Sequence, residues 1–381
     1  MTATRRISAI QLVVLALLAG CTSGRNDASS VGGNTPQRDA FEVIAYFHGS
    51  TEDIADYDVG SLTQIIYSFL HLDGNRLTVG NETQAGDIRS LLALRDSHPD
   101  LKVLVAFGGW GGCETCSEVF SQGENRKEFA TSVLELLYEY DLDGIDLDWE
   151  YPAMQGFPGH AFKPEDQQNF TALVRQLRAT LGSDYELSFA ASANPLFWEA
   201  SVEWQEVMPL VDRVNLMTYD LISGEVAEHH TAMKSTAEQG ISVDSAVSQL
   251  LDLGIDARKI VIGAAFYARA WDEVEAADGD ALYRKARFKA FVAYRELDEL
   301  FASGCVPEWD DRAEAPYCYN PDDGLFASFD DRRSVAAKTR YALDRQLGGI
   351  MFWHLAQDTV AGGLLEAIAD TIALETRQSV E

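Results

Sequence analysis

The sequence predicts an α/β fold of the (β/α)8, or TIM-barrel, class, with a small α+β insertion after the seventh strand. Three observations carry that prediction. Short apolar, β-rich runs recur along the chain, amphipathic segments of helical period separate them, and one connection is far longer than a crossover needs. The runs are 41–47, 62–70, 102–109, 144–150, 186–193, 213–219, 259–267 and 348–355. Between them Ile88, Leu91 and Leu92, then Phe129, Val133, Leu134 and Leu137, then Phe170, Leu173, Val174, Leu177 and Leu181 recur three and four residues apart. That spacing puts them on one helical face, packed on the sheet. Eight β units fit a closed barrel better than an open doubly wound sheet, and no G-x-G-x-x-G follows the first run. The long connection holds β-like pieces at 288–297 and 315–320. The expected barrel therefore runs over 40–271, the insertion over 272–326, and the end of the barrel over 327–376.

Composition narrows the function. The chain has 381 residues, 46% of them hydrophobic, with 60 acidic against 30 basic side chains and a formal charge of −30. A disordered tail and a duplex nucleic-acid binder are excluded, so no nucleic-acid partner is expected. The basic residues are 22 Arg and 8 Lys. An acidic, Lys-poor surface suits either a salt-rich habitat or colloidal solubility.

The N-terminus reads as an export signal. Arg5 and Arg6 precede a short apolar run at 12–19, and Leu18-Ala19-Gly20-Cys21 follows. These residues resemble the lipobox of bacterial lipoproteins; the plainer alternative is a secretory signal with a chance cysteine. On the first reading, 1–20 is cleaved, Cys21 is lipidated, and 21–39 is a flexible tether to a membrane. The expected location is then a bacterial cell surface or outer membrane, or the medium if the protein is simply secreted. Four cysteines remain: Cys113 and Cys116, and Cys305 and Cys318. A zinc site would need ligands gathered from distant segments, and no His stands at ligand spacing beside either pair. Two local disulfides are expected in an exported protein.

The most informative segment is Asp143-Gly144-Ile145-Asp146-Leu147-Asp148-Trp149-Glu150. In a strand, alternate residues share a face, so Asp146, Asp148 and Glu150 point into the barrel while Ile145, Leu147 and Trp149 point out. Like charges about 6–7 Å apart in a partly dry interior resist simultaneous ionisation, so a purely structural strand has no use for them. A divalent-metal site is one chemical reading, although barrels usually gather metal ligands from several strands. The other is acid catalysis. Mutual repulsion keeps the outermost carboxyl protonated near neutral pH, and Glu150, nearest the mouth, is the natural acid. No metal and no organic cofactor is required.

With these residues in hand, the sequence resembles glycoside hydrolase family 18, the chitinase family. Its D-x-x-D-x-D-x-E is matched at Asp143, Asp146, Asp148 and Glu150. Its S-x-G-G on strand 3 is matched at Ala106, Phe107, Gly108 and Gly109, with Trp110 next. The M-x-Y-D of strand 6 is matched from Met217 through Tyr219 to Asp220, and F-Y-x-R at Phe266, Tyr267 and Arg269. Trp353 stands for the strand 8 tryptophan, so the likeness covers about 41–372. The insertion is similar to that of members with a deep cleft. One departure is Ala106, where the family often has a Ser supporting the first Asp. Another is the Cys113 and Cys116 loop.

The resemblance implies retaining hydrolysis in which the substrate's 2-acetamido oxygen attacks the anomeric carbon. Glu150 would be the acid and then the base, Asp148 would orient the acetamido N–H, Asp146 would share a proton with Asp148, and Tyr219 would hydrogen-bond the acetamido group. Trp353 would floor the cleft, with Trp110, Tyr151, Tyr46 and Phe47 along it, while Asp220 and Arg269 contact hydroxyls. Met217, Gly109 and Tyr267 complete the substrate-binding set, and Asp143 and Gly108 are structural. Trp198 and Trp204 either extend the cleft or pack. The expected substrate is chitin or its oligomers, cleaved by a monomer. The rivals are an endo-β-N-acetylglucosaminidase acting on N-glycans and a non-catalytic glycan binder. Glu150 argues against the binder.

Overall fold

The computed structural model describes residues 41–52, 54–276 and 280–378. The reading of 1–20 as a signal, Cys21 as a lipidation site and 21–39 as a tether lies outside them. Eight parallel strands close a barrel: β1 (Glu42–Phe47), β2 (Gln64–Asp73), β3 (Lys102–Gly108), β4 (Gly144–Asp148), β5 (Glu186–Ser192), β6 (Arg213–Met217), β7 (Ile260–Ala265) and β8 (Gly349–Trp353). β1 pairs with both β2 and β8, which removes every free edge of the barrel.

Helices at Glu82–Ala93, Gly123–Tyr140, Asp166–Leu181, Val243–Asp252, Arg332–Asp344 and Leu364–Gln378 ring the sheet. Their periodic residues do what the spacing predicts: Ile88, Leu91, Phe129, Val133, Leu137, Phe170, Leu173, Val174 and Leu177 are buried against it. Asn81 caps the first of these helices by accepting from Gln84 N at 3.0 Å.

Strand alternation splits the apolar residues into two cores. Val43, Ala45, Ile65, Val105 and Ile145 face the helices. Ile44, Tyr46, Ile66, Leu104, Ala106, Val261 and Met351 fill the barrel. This split corrects the expectation for Phe47. Its neighbour Tyr46 points inward, so Phe47 points outward, is 1% exposed in the sheet–helix core, and does not reach the cleft.

After β7 the chain builds a five-stranded antiparallel sheet from Tyr267–Asp272, Arg287–Ala293, Val306–Asp310, Ala315–Asn320 and Leu325–Ser328, with the helix Leu297–Ala302. Tyr267–Asp272 lies inside this sheet, between Arg287–Ala293 and Leu325–Ser328. The run 259–267 therefore crosses from one sheet to another, a change that unbroken apolar character conceals. Cys305 bonds to Cys318 within this unit, and Cys113 to Cys116 in the loop after β3.

Candidate active site

The C-terminal ends of the strands open into a cleft of about 1160 Å³. It is lined by Tyr46, Trp110, Asp148, Glu150, Tyr151, Met217, Tyr219, Asp220, Tyr267, Arg269 and Trp353, among others. Most of the residues singled out from the sequence thus meet in one place, at the end of the barrel where active sites of this fold sit.

Asp146 lies deepest and is wholly buried. Its Oδ2 accepts from the Tyr46 hydroxyl at 2.7 Å, and its Oδ1 accepts from Ser188 Oγ at 2.5 Å and Asn215 Nδ2 at 3.0 Å. Burial pushes its pKa up, and these three donors pull against that rise. Asp148, next outward, is 5% exposed, and among the described residues its Oδ1 has no hydrogen-bond partner. Burial, then the charges of Glu150 and Asp146, push its pKa well above the usual carboxylate range.

Glu150 follows the last residue of β4 by two and stands half-buried at the cleft. Burial raises its pKa to about 7; a hydrogen bond with Tyr151 lowers it and the Asp220 charge raises it. Asp220 is the opposite case. Burial works against its charge, but His230 and Arg269 outweigh that and hold it at about 2. Arg269 Nη1 is 2.9 Å and His230 Nδ1 3.4 Å from Asp220 Oδ1. Two carboxyls of one cleft, close enough for the Asp220 charge to act on Glu150, are therefore driven in opposite directions, which is how one site keeps an acid and an anion at the same pH.

Trp353 and Phe69 form the aromatic floor, with Tyr46 6.0 Å from the indole. Tyr219 packs against the barrel core, its hydroxyl 3.9 Å from Met351 Sδ. Gly263 makes room for it, since a Cβ there would come within 2.7 Å of the Tyr219 ring. Trp110, 58% exposed, stands at the rim edge-on to Phe157. The peptide bonds Ser68–Phe69, Glu150–Tyr151 and Trp353–His354 are cis.

Some expected residues serve elsewhere. Gly109 does not line the cleft. It has φ +80°, donates to Asp148 O at 2.8 Å, and lies under Phe69, whose ring a Cβ would strike at 2.4 Å. Gly108, with φ +107°, has no room for a Cβ beside Asp148 O. Asp143 sits at the opposite end of β4, where its Oδ2 accepts from Val103 N at 2.6 Å and pairs with Arg95. Asp143 thus takes its support from Arg95 and Val103. Ala106 itself lies beside Asp146 in the ladder, not Asp143. Trp198 and Trp204 stack on each other, both 5% exposed, and pack in the core. His354 is 8% exposed, and burial first, then His48 and Arg295, hold it near 3, so it is neutral.

Other residues of the site escaped notice. Ser188 and Asn215 occupy inward positions on β5 and β6, and the alternation applied to the carboxylate strand would have found them. Phe69 was hidden by a register shift in β2 between Tyr67 and Leu70. His230 lies in the irregular segment after β6, where no periodic signal exists. Among the described residues, no group of three or more His, Cys, Asp or Glu could hold a metal ion.

Residues 42–358 match the model of the family "Glycosyl hydrolases family 18". The chain belongs to that family. It is 32% identical to Chitinase A1 of Niallia circulans over 72% of this chain, and spans 43% of that protein's length. Against Chitinase B of Serratia marcescens it is 28% identical over 81% of this chain and 75% of the other. A family 18 N-acetylglucosaminidase from Paenibacillus barengoltzii superposes with a TM-score of 0.78 at 32% identity, over 87% of this chain and all of the other. The chain is a glycoside hydrolase of family 18, and its closed eight-stranded barrel is the fold of its structural neighbours.

Proposed function

We propose that this glycoside hydrolase cleaves β-1,4-linked N-acetylglucosamine in chitin or chito-oligosaccharides, with retention and with the substrate's acetamido group as nucleophile. The observation that carries the reading is Asp148 Oδ1, buried and without a hydrogen-bond partner among the described residues, in a cleft that also holds the aromatic floor and a carboxyl raised to about 7. An acetamido N–H is the donor that such an oxygen lacks.

The steps follow from the residues. The sugar lies on Trp353, whose face suits the apolar face of a pyranose. The acetamido carbonyl oxygen attacks the anomeric carbon while the glycosidic C–O bond breaks, and Glu150 gives its proton to the leaving oxygen. Asp148 accepts the acetamido N–H and faces the positive charge of the oxazolinium ion, with Asp146 sharing its proton from below. The Tyr219 hydroxyl steadies the acetamido oxygen. Water then attacks the anomeric carbon and gives its proton to the Glu150 carboxylate. Two inversions leave the β configuration. Asp220, Arg269 and Tyr267 would hold hydroxyls, with Tyr151, Met217 and Trp110 flanking the bound chain.

The chitinases among the relatives support this substrate. The match over all of the Paenibacillus barengoltzii N-acetylglucosaminidase favours a second reading, release of single N-acetylglucosamine units. Incubation with N-acetylchitohexaose, and separately with an N-glycopeptide, distinguishes these. Oligomeric products from the first alone are expected; only the monosaccharide supports the second reading, and cleavage of the glycopeptide alone overturns both. We also place the protein on a bacterial membrane through a lipid on Cys21. Labelled fatty acid should enter the wild type and not Cys21→Ala, and an unlabelled, freely soluble wild type would contradict the anchor.

A further inference from the structure

Asp146 sits in the parallel ladder between Ala106 on β3 and Ser188 on β5. Strands about 4.8 Å apart put both neighbours within reach of its carboxylate. One neighbour is a methyl group and the other a hydroxyl donating to Oδ1 at 2.5 Å, the short range of charge-assisted bonds. Ser188 is wholly buried, and among the described residues Asp146 is the only side chain it hydrogen-bonds to. Filling the barrel does not require that hydroxyl, since Ala106 and Ala190 occupy inward positions nearby.

We propose that Ser188 is a positioning residue, whose hydroxyl holds Asp146 in the orientation from which it acts on Asp148 and takes over a hydrogen bond that Ala106 cannot make. This rests on the catalytic role proposed above for the two carboxyls. The groups facing Asp146 are Tyr46 from β1, Asp148 on its own strand, Asn215 and Arg213 from β6, and Tyr219 beyond it. The charge on β3, Lys102, pairs with Glu186, which also pairs with Arg213. Tyr46 holds Oδ2 and Asn215 also bonds to Tyr46, at 2.9 Å, so Ser188 is the donor committed to Oδ1 alone. Without it, burial is less opposed, and the Asp146 and Asp148 pair keeps its protons to higher pH.

The test is a relocation of the hydroxyl. Ser188→Ala should lower kcat on N-acetylchitohexaose by about tenfold to a hundredfold, the loss of one hydrogen bond to a charged group. KM should stay within about twofold, and the acidic limb of the kcat profile should move to higher pH. Ala106→Ser combined with Ser188→Ala should recover most of the loss, because it returns a donor from the other flank. A Ser188→Ala enzyme with unchanged kcat and pH profile overturns the proposal. So does a loss that the double variant leaves in place while both variants melt with the wild type. If Ser188→Ala does not fold, Ser188→Cys keeps the volume with a weaker donor and carries the same expectation. A titration of the Asp146 carboxyl by ¹³C NMR separates this idea from the substrate assignment. It should rise in the variant even if the wild type leaves the hexamer intact, and an unchanged titration contradicts the role of Ser188.

Discussion

The phenyl ring of Phe69 stacks on the indole of Trp353, centroids 5.3 Å apart and planes 18° from parallel. The floor of the cleft is therefore a pair of rings from β2 and β8, strands on either side of β1. Gly109 beneath Phe69 fixes how far that ring can sink.

Phe69→Ala should loosen the floor. An aromatic pair contributes about 0.5–1.5 kcal/mol beyond its buried area, so kcat/KM on chito-oligosaccharides should fall by roughly three- to tenfold. Most of the loss should appear in KM, because the ring acts on the bound sugar in ground and transition states alike. Steady-state kinetics on N-acetylchitohexaose measure it.

The pH dependence follows from Glu150. The first step of the proposed cleavage needs its carboxyl protonated, and its pKa stands at about 7. Protonation is complete well below that value and is lost above it, so kcat/KM should fall about tenfold per pH unit on the alkaline side. Asp220 raises the Glu150 pKa and stays ionised itself, being held at about 2. Asp220→Asn removes that charge and leaves Arg269 in place, so the alkaline limb should move to lower pH. A pH profile of kcat/KM for both proteins checks the direction.

Lys338 and Asp330 form an ion pair in which neither side chain is exposed, at 2.6 Å, behind the ends of β6 and β7. Asp330 Oδ2 also accepts from Ala265 N at 2.9 Å, and Lys338 reaches Thr231. Lys338→Met leaves the Asp330 carboxylate buried without its cation and should cost about 3–5 kcal/mol of stability. The midpoint of denaturant unfolding reports it.

The barrel was legible because closed parallel strands must be apolar on both faces and amphipathic helices must cover them. The carboxylates stood out because charged residues break that rule at period two in the run from Gly144 to Glu150. The same period marks Ser188 and Asn215, but a Ser or Asn inside a strand is a weaker departure than an Asp. Phe47 failed for a related reason. Its neighbour Tyr46 already occupies the inward face, and two adjacent residues of one strand cannot share it. Phe69 depended on a register shift, and the Asp220, His230 and Arg269 cluster on contacts between the segment after β6 and the strand Tyr267–Asp272. Neither leaves a periodic trace.

In the proposed function Glu150 protonates a glycosidic oxygen in a retaining, substrate-assisted cleavage. Its most direct test is to follow the anomeric form of the products of N-acetylchitohexaose at early times, for the wild type beside Glu150→Gln. β-Anomeric products are expected from the wild type, with a rate lower by several orders of magnitude in the variant. α-Anomeric products, or a Glu150→Gln protein that cleaves as fast as the wild type, would contradict it.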